Sequence, residues 1–413
     1  MIRTTLRILA KNTIKKYQPE IIGVAGGVGK TSAMEAIFLV LKQQKRTRIM
    51  KNFEDAELSA LLAILGGEKK SFLAIVSLIF LSVFRLIFKS SSYPEVLILE
   101  YESGREKNLK KILLFARPNI AVVTAFGEIP PGTEFFPNPQ AAMREKGKIV
   151  EHLPASGFAI LNYDDPEVFK MKERTKGKIL TYGFKKGADI LVSGLENKED
   201  EEGPKGISFK IGDRETFVPV RINGTAGKTQ AYAAAAGAAV GLILSVNLVK
   251  ISQALSSFSP SKGRMKIVKG IKKTFILDDT YESSPLSLSS ALETLKKLSA
   301  KRKIAVLGDM TEIGRYSIEA HEEAGRKAAK AANIVITAGA RSKFIAEAAI
   351  KAGMPKKNIF SFEDLYQAGK KTQEVLKEGD LVLIKGGKEL KMEKAVEEIM
   401  MEPMKARELI LQR

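Results

Sequence analysis

Short apolar runs alternate along this chain with longer stretches in which apolar positions recur at helical spacing. Residues 21–25 read as a short buried strand, which a glycine turn joins to a helical pattern over 31–45. Runs 95–101 (EVLILEY), 120–124 (IAVVT) and 158–162 (FAILN) carry few polar positions, as strands do when a parallel sheet is covered on both faces. Strands alternating with helices predict an α/β fold with mostly parallel sheets. Between 188 and 223 the pattern changes to short alternating runs such as ISFKI and TFVPVRI, separated by the acidic segment NKEDEEGPKG. A small antiparallel β insertion is expected there, with the acidic segment as its solvated tip. Residues 231–244 are rich in alanine and read as a helix packed closely on a neighbour.

SPSKG at 259–263 is the best interdomain linker candidate. Beyond it the rhythm restarts, with strands expected at 274–278, 303–307, 334–337 and 381–384 and helices between them. Two domains are expected, residues 1–262 and 263–413. The opening segment MIRTTLRILAKNTIKKYQPE is basic and has neither an apolar core nor a small-residue cleavage site. It predicts an amphipathic helix ended by Pro19, and a cytoplasmic chain. Residues 71–88, SFLAIVSLIFLSVFRLIF, are flanked by Lys69, Lys70 and Lys89. Only about 14 residues run before Arg85, short of the ~20 that cross a bilayer. Three readings stay open: a buried or partner-covered helix, a helix in the membrane interface with its lysines on anionic headgroups, and a true span.

Composition removes several chemistries. Cysteine is absent, which excludes disulfides, thiolate-bound metal and a cysteine nucleophile. His152 and His321 are the only histidines, too few for a poly-histidine metal site. Lys and Arg number 67 against 47 Asp and Glu, a net charge of +20 spread along the chain. That excess suits phosphorylated metabolites, nucleic acid or an anionic membrane, and equally a solvated lysine-rich surface. No nucleic-acid-binding signature accompanies it, so no such partner is expected.

The strongest local signal is GVAGGVGKTS, residues 23–32. A strand, a glycine turn and a helix in succession aim backbone N–H groups and the helix dipole at phosphate. Gly26, Gly27, Val28, Gly29, Lys30, Thr31 and Ser32 would form that cradle, with Lys30 on the β- and γ-phosphates and the Thr31 hydroxyl on Mg²⁺. Val24 stands where the strict motif has its first glycine, leaving the shorter form GxxGK[ST]. A nucleoside triphosphate is the expected ligand.

Two groups of P-loop proteins carry a segment similar to GGVGKTS. Partition and septum-site ATPases place a lysine ahead of the glycines, where this chain has Ala25. The Mur ligase family carries TGSxGKT[ST], which AGGVGKTSAME resembles. The rest of the chain favours the second group. EVLILEYE resembles the Mur strand that ends in a Mg²⁺-binding glutamate, a role that falls on Glu100. ARPNIAVVTAFGEIP (116–130) and FAILNYDDPEV (158–168) resemble two further family segments. EKGKI (145–149) is similar to the family's AKGEI, whose lysine is carbamylated and bridges the metals; Lys146 matches it, although alone it reads as a solvated surface lysine. SKGRMKIV contains the GRM element, with Arg264 on the nucleotide phosphates, where a guanidinium suits the charge of a transferring phosphoryl group. ILDDTYESSPLSLSSAL resembles the DDSYNxNP box, with Asp278, Asp279, Tyr281 and Pro285 matching. VLGDMTEIGRYSIEAH, ending at His321, and LVLIKGGKELKMEKAV, containing Lys385, resemble the last two elements.

The resemblance is to the Mur ligase family, in its D-Ala-D-Ala-adding branch, and covers nearly the whole chain. It implies a P-loop central domain with a small β insertion, followed by a Rossmann-like C-terminal α/β domain. It implies ATP-dependent amide ligation through an acyl phosphate, with ATP and two Mg²⁺, on a cell-wall precursor and an amino acid or dipeptide. Lys30, Glu100, Lys146 and Arg264 take the catalytic roles, Thr31, Glu100 and Lys146 the metal, Asp278 and Asp279 the nucleotide, and Tyr281, His321 and Lys385 the substrate. A monomer is expected.

Departures accompany the likeness. The family's UDP-sugar-holding domain precedes its P-loop, and here only about 25 residues do so. The metal-binding histidine is missing near Gly132, and Ala125, Ala226-Gly227, Gln230, Glu282 and Ser284 stand where the family has polar ligands. An amide ligase on another substrate, like the folylpolyglutamate synthetases, and a catalytically weak ATP-binding scaffold therefore stay as alternatives.

Overall fold

The computed structural model describes residues 2–51, 55–68, 71–88, 91–102, 108–213 and 215–411. Two sheets organise them. The first contains β1 (Glu20–Ala25), β2 (Thr47–Ile49), β3 (Val96–Glu100), β4 (Ile120–Val123), β5 (Phe158–Asn162), β6 (Lys178–Gly183), β7 (Ile190–Asp200), β8 (Gly203–Gly212) and β9 (Phe217–Asn223). Their order is β2-β3-β1-β4-β5-β6-β7-β8-β9. Pairing is parallel as far as β7 and antiparallel from β7 to β9. The expected β insertion is thus an extension of the main sheet. Its acidic segment is mostly strand, because β7 runs to Asp200 and β8 restarts at Gly203, leaving a two-residue tip.

The second sheet contains β10 (Lys266–Lys269), β11 (Phe275–Asp279), β12 (Arg302–Gly308), β13 (Ile334–Ala338), β14 (Ile359–Phe362) and β15 (Asp380–Lys385), in the order β10-β11-β15-β12-β13-β14. All its pairs are parallel except β10 with β11. The α/β architecture follows the apolar runs: β3, β4 and β15 are buried throughout, with helices over both faces.

Four helices of the first domain flank the start of its sheet: α1 (Ile2–Tyr17), α2 (Lys30–Leu41), α3 (Ala56–Leu65) and α4 (Phe72–Ile87). α2 packs on the alanine-rich helix Thr229–Ile243 so closely that a Cβ added at Gly237 would lie 3.0 Å from the Ala36 backbone. Small side chains let the two helices approach, and the second then holds its N-terminus beside the P-loop. α1 ends ahead of Pro19, as expected. It packs on α3 and α4, with Arg3 paired to Asp55 and Arg7 to Glu57.

The domains meet at several places, among them the Lys228–Glu293 ion pair and the Ser299 N–H bond to Glu199. Near β10, Ile267 N–H donates to Gly224 O at 2.9 Å and the Thr225 hydroxyl to Met265 O at 2.8 Å. Past the end of β12, Glu134 N–H donates to Glu312 O at 3.3 Å and the Arg315 guanidinium to Pro137 O at 3.1 Å.

Candidate functional site

β1 delivers its chain end to the P-loop. Gly26 adopts φ 144°, and a Cβ there would fall 2.0 Å from the Thr124 hydroxyl, so the turn requires glycine. The N–H groups of Gly27 and Val28 donate to Ala125 O at 2.8 and 2.9 Å, which ties the loop to β4. Gly29 caps α2, so the N–H groups of Lys30, Thr31 and Ser32 form the first helical turn, where no intrahelical acceptor exists. That turn is the anion-facing end of the loop.

β3, beside β1, ends in Glu100, and Glu102 follows it. Lys30 Nζ lies 3.6 Å from a Glu100 oxygen and 3.7 Å from a Glu102 oxygen. Burial opposes the Lys30 charge, but the two carboxylates outweigh it and hold the ammonium above its usual range. Lys30 in turn keeps the Glu102 carboxyl below its usual range. Glu102 escaped the sequence reading, although its two-residue offset from Glu100 is the spacing that returns to one side of an extended chain.

Lys146 is buried at 3% exposure near the end of the helix Pro139–Lys146, which corrects its reading as a surface lysine. Burial, and then the Lys30 charge, push its amine down to about 8, against a weaker pull from Glu102, Glu282 and Glu312. Burial and the surrounding Glu102, Glu282 and Glu134 push the Glu312 carboxyl up. The Glu282 that replaces a family asparagine therefore adds negative charge beside two lysines.

The C-terminal domain contributes Arg264, whose guanidinium donates to the Thr31 hydroxyl at 2.9 Å and stacks 3.9 Å from the Tyr281 ring centroid. Gln230 donates to Arg264 O at 3.0 Å and its own side-chain oxygen is buried without a partner. Lys385, 1% exposed, meets Asp279 at 2.7 Å and donates to Glu282 O at 2.6 Å. Asp279, Glu282, Arg264, Gln230 and Lys385 line a small cleft with Gly27–Gly29.

Two expected contacts turn out to be internal. Asp278 is wholly buried and accepts from the Thr280 hydroxyl at 2.6 Å and from Gly263 N–H at 3.0 Å; burial pushes its carboxyl up to about 6. It fixes the turn that carries Arg264 and does not face the nucleotide side. His321 is also wholly buried: Nε2 accepts from Met310 N–H at 2.9 Å and Nδ1 donates to Ser317 O at 2.6 Å. Both ring nitrogens are engaged, and burial lowers its basicity, so it is a neutral brace for the loop after β12 and not a substrate ligand.

On the other side of the P-loop lies a cavity of about 450 Å³. Val28, Ala33, Ala125, Tyr182, Tyr232 and Leu286 give it apolar walls next to Gly29. The aspartates of LNYDDP brace this wall: Asp165 accepts from Phe126 and Gly127 N–H at 2.7 and 3.1 Å, and Asp164 from the Tyr232 hydroxyl at 2.7 Å. A cavity of this size, apolar and contiguous with a phosphate cradle, suits a nucleoside.

The donor set fits a hard cation. Thr31, Glu100 and Glu102 offer only oxygen, and no group of three or more His, Asp or Glu among the described residues forms a closed cage. Magnesium commonly takes one or two carboxylates and completes its shell with water and phosphate.

Comparison with known proteins agrees with this geometry. Residues 24–241 match the Mur ligase middle domain, and residues 263–387 the Mur ligase glutamate ligase domain. The UDP-N-acetylmuramoyl-tripeptide--D-alanyl-D-alanine ligase of Bacillus subtilis is 25% identical over 97% of this chain and 80% of its own. A MurF ligase from Thermotoga maritima, solved in complex with ADP, superposes with a TM-score of 0.78 at 22% identity, covering 98% of this chain and 84% of that one. FolC from E. coli, in complex with ADP without folate substrate, superposes at 0.64 and 17% identity, covering 98% and 94%.

Proposed function

We propose, from the fact that this chain belongs to the Mur ligase family, that it joins D-alanyl-D-alanine, or a closely similar amine, to a cell-wall precursor carboxylate at the expense of ATP. The observation that carries the reading is the bond between Arg264 and Thr31. It brings a cation from the second domain onto the P-loop of the first, next to Lys30 and Lys146.

The substrate carboxylate attacks the γ-phosphorus of ATP, the bond to the β-phosphate oxygen breaks, and an acyl phosphate and ADP result. The amine then attacks the acyl carbon, the C–O bond to phosphate breaks, and the amine proton is lost as the amide forms. Both steps demand that repelling anions be aligned and neutralised. Lys30 moves from Glu100 and Glu102 onto the triphosphate, and Arg264 reaches the same oxygens from across the cleft. Magnesium, held by Thr31 and Glu100, with Lys146 as its carbamate, would supply further positive charge where the γ-phosphate is transferred. Asp279 and Glu282 hold the buried Lys385 inside the small cleft beside the P-loop, where an incoming substrate would meet it. The apolar cavity takes the adenosine. A monomer and a cytoplasmic location complete the reading, since the cytoplasm is where nucleotide-linked precursors and ATP occur together.

Phosphate release from Mg-ATP with UDP-muramoyl tripeptide and D-Ala-D-Ala, each omitted in turn, tests the reading. Release that requires both substrates is expected. Release that requires a different acceptor would favour the alternative ligase, and ATP binding without turnover would favour a scaffold. Filling the cavity with Ala33→Leu, a residue that lines it beside the P-loop, is expected to raise the KM for ATP by about tenfold, since overpacking a fitted site costs on the order of 1–3 kcal/mol. A KM unchanged by this substitution would place the nucleoside elsewhere.

A further inference from the structure

Helix α4 takes no part in the ligation chemistry. It is 16 residues long, about 24 Å at the usual rise, and no helix among the described residues is long and apolar enough to cross a membrane. That removes the spanning reading of residues 71–88. The buried reading fails for most of the helix as well. Only Leu78 and Ser82 are buried, whereas Phe72, Leu73, Phe80, Leu81, Phe84, Ile87 and the capping Phe88 are between 51% and 80% exposed.

These exposed residues recur at helical spacing and form one continuous stripe. The stripe carries no charge. Arg85 is the single charged residue of the helix, and it turns inward to donate to Leu65 O at 2.8 Å, at the C-terminal end of α3. The exposed Ser77 hydroxyl donates to Ala74 O within its own helix at 2.9 Å. The C-terminal carbonyls of α4 are also covered, since Lys16 Nζ donates to Leu86 O at 2.8 Å and the Tyr17 hydroxyl to Arg85 O at 2.9 Å. Both come from α1, whose sequence has five basic residues and no acidic one; Lys11 and Lys15 are exposed.

We propose that α4 lies in the interface of an anionic membrane, with its phenylalanine stripe among the acyl chains and the lysines of α1 on the headgroups. Charge complementarity selects this occupant. A second copy of this chain, with its net charge of +20, would bring the same basic rim against itself, whereas anionic headgroups neutralise it. An uncharged stripe beside a basic flank is the pattern of helices that rest in the interface plane. Lys69, Lys70 and Lys89, which the sequence places at the same helix ends, lie outside the described residues.

The chain has no tryptophan, so Phe84→Trp installs a single reporter in the middle of the stripe. On vesicles containing about one third phosphatidylglycerol, its emission should shift to the blue and be quenched by brominated acyl chains. On pure phosphatidylcholine, or at high salt, binding should fall by at least about tenfold. Phe80→Glu with Phe84→Glu, both on the exposed face, should abolish flotation with anionic vesicles and leave the ATPase reaction in solution unchanged. No quenching on anionic vesicles would overturn the proposal. So would a lipid-free dimer of the unsubstituted protein, by sedimentation, that the glutamate pair converts to a monomer.

Discussion

Lys30→Ala should reduce ATP turnover by about 10³-fold, the scale on which removal of one preorganised donor acts on a charge that develops in the transition state. The surroundings of Lys30 sharpen the expectation. With the ammonium gone, Glu100 and Glu102 face the triphosphate without a counter-charge between them. Substrate binding and the chemical step then both suffer, so kcat falls and the KM for ATP rises together. Lys30→Arg should not restore the rate, because a planar fork cannot take the place of a compact ammonium held between two carboxylates. Steady-state phosphate release at saturating substrates gives the answer. A residual rate within tenfold of the parent would remove Lys30 from the reaction.

Lys146→Met should cost activity and gain stability at the same time. Burial and the neighbouring Lys30 bring the Lys146 amine down to about 8, from an ordinary value of 10.5. A folded-state value below the unfolded one means that the folded chain binds fewer protons between those two values. Stability should therefore rise with pH through the window from about 8 to 10.5, and the cost of the buried charge is fully present below it. Methionine removes that cost, a gain on the order of 3 kcal/mol at pH 7 by the usual conversion of a shift into free energy. The gain should vanish above pH 10.5, and urea unfolding at pH 7 and 10.5 reads the difference.

Turnover should move the other way and fall by about 10²-fold or more, as losses of groups around a metal-assisted centre do. Carbamylation needs the neutral amine, and a value near 8 supplies it at physiological pH in a way an ordinary surface lysine does not. Bicarbonate should accordingly stimulate the parent enzyme and have no effect on Lys146→Met. Labelled bicarbonate followed by carbon NMR would show whether the carbamate forms. Stimulation that persists in the variant would assign the effect to another group.

Most of the fold was legible because buried parallel strands leave uninterrupted apolar runs, and β1, β3, β4, β5 and β15 lie where those runs do. β2, only three half-buried residues, left no such run, and β14 is no more than half-buried, so neither stood out in the pattern. The extension β7–β9 was legible as antiparallel, but alternation says nothing about which sheet a hairpin joins. In the site, the P-loop could be read directly, since its chemistry is local. Lys146, Arg264 and Lys385 came from resemblance alone, because their environment is made by segments more than a hundred residues apart. The same limit explains Asp278 and His321. Their roles came from the same resemblance, and only the fold shows that their polar atoms are consumed by Gly263, Thr280, Met310 and Ser317. Glu282 was read only as a replaced family ligand and Glu312 not at all, because a glutamate in a charged sequence carries no signal until a lysine is placed beside it.

The short bridge between Gly224–Thr225 and Met265–Ile267 has a mechanical consequence. It joins the domains at the edge strand β10, whereas the loop that carries Glu312 leaves β12, three strands away and about 14 Å at the usual strand spacing. Any rotation that keeps the bridge intact makes the second domain a lever with its fulcrum at Arg264. Points near the fulcrum scarcely travel, so the guanidinium stays on station over the P-loop while the far rim swings. Glu312 and Arg315 meet Glu134 and Pro137 at that rim, and these contacts would part in such a rotation. The P-loop end of the cleft would then act as the hinge and the Glu134–Glu312 end as the mouth, opening the cleft without parting Arg264 from the P-loop.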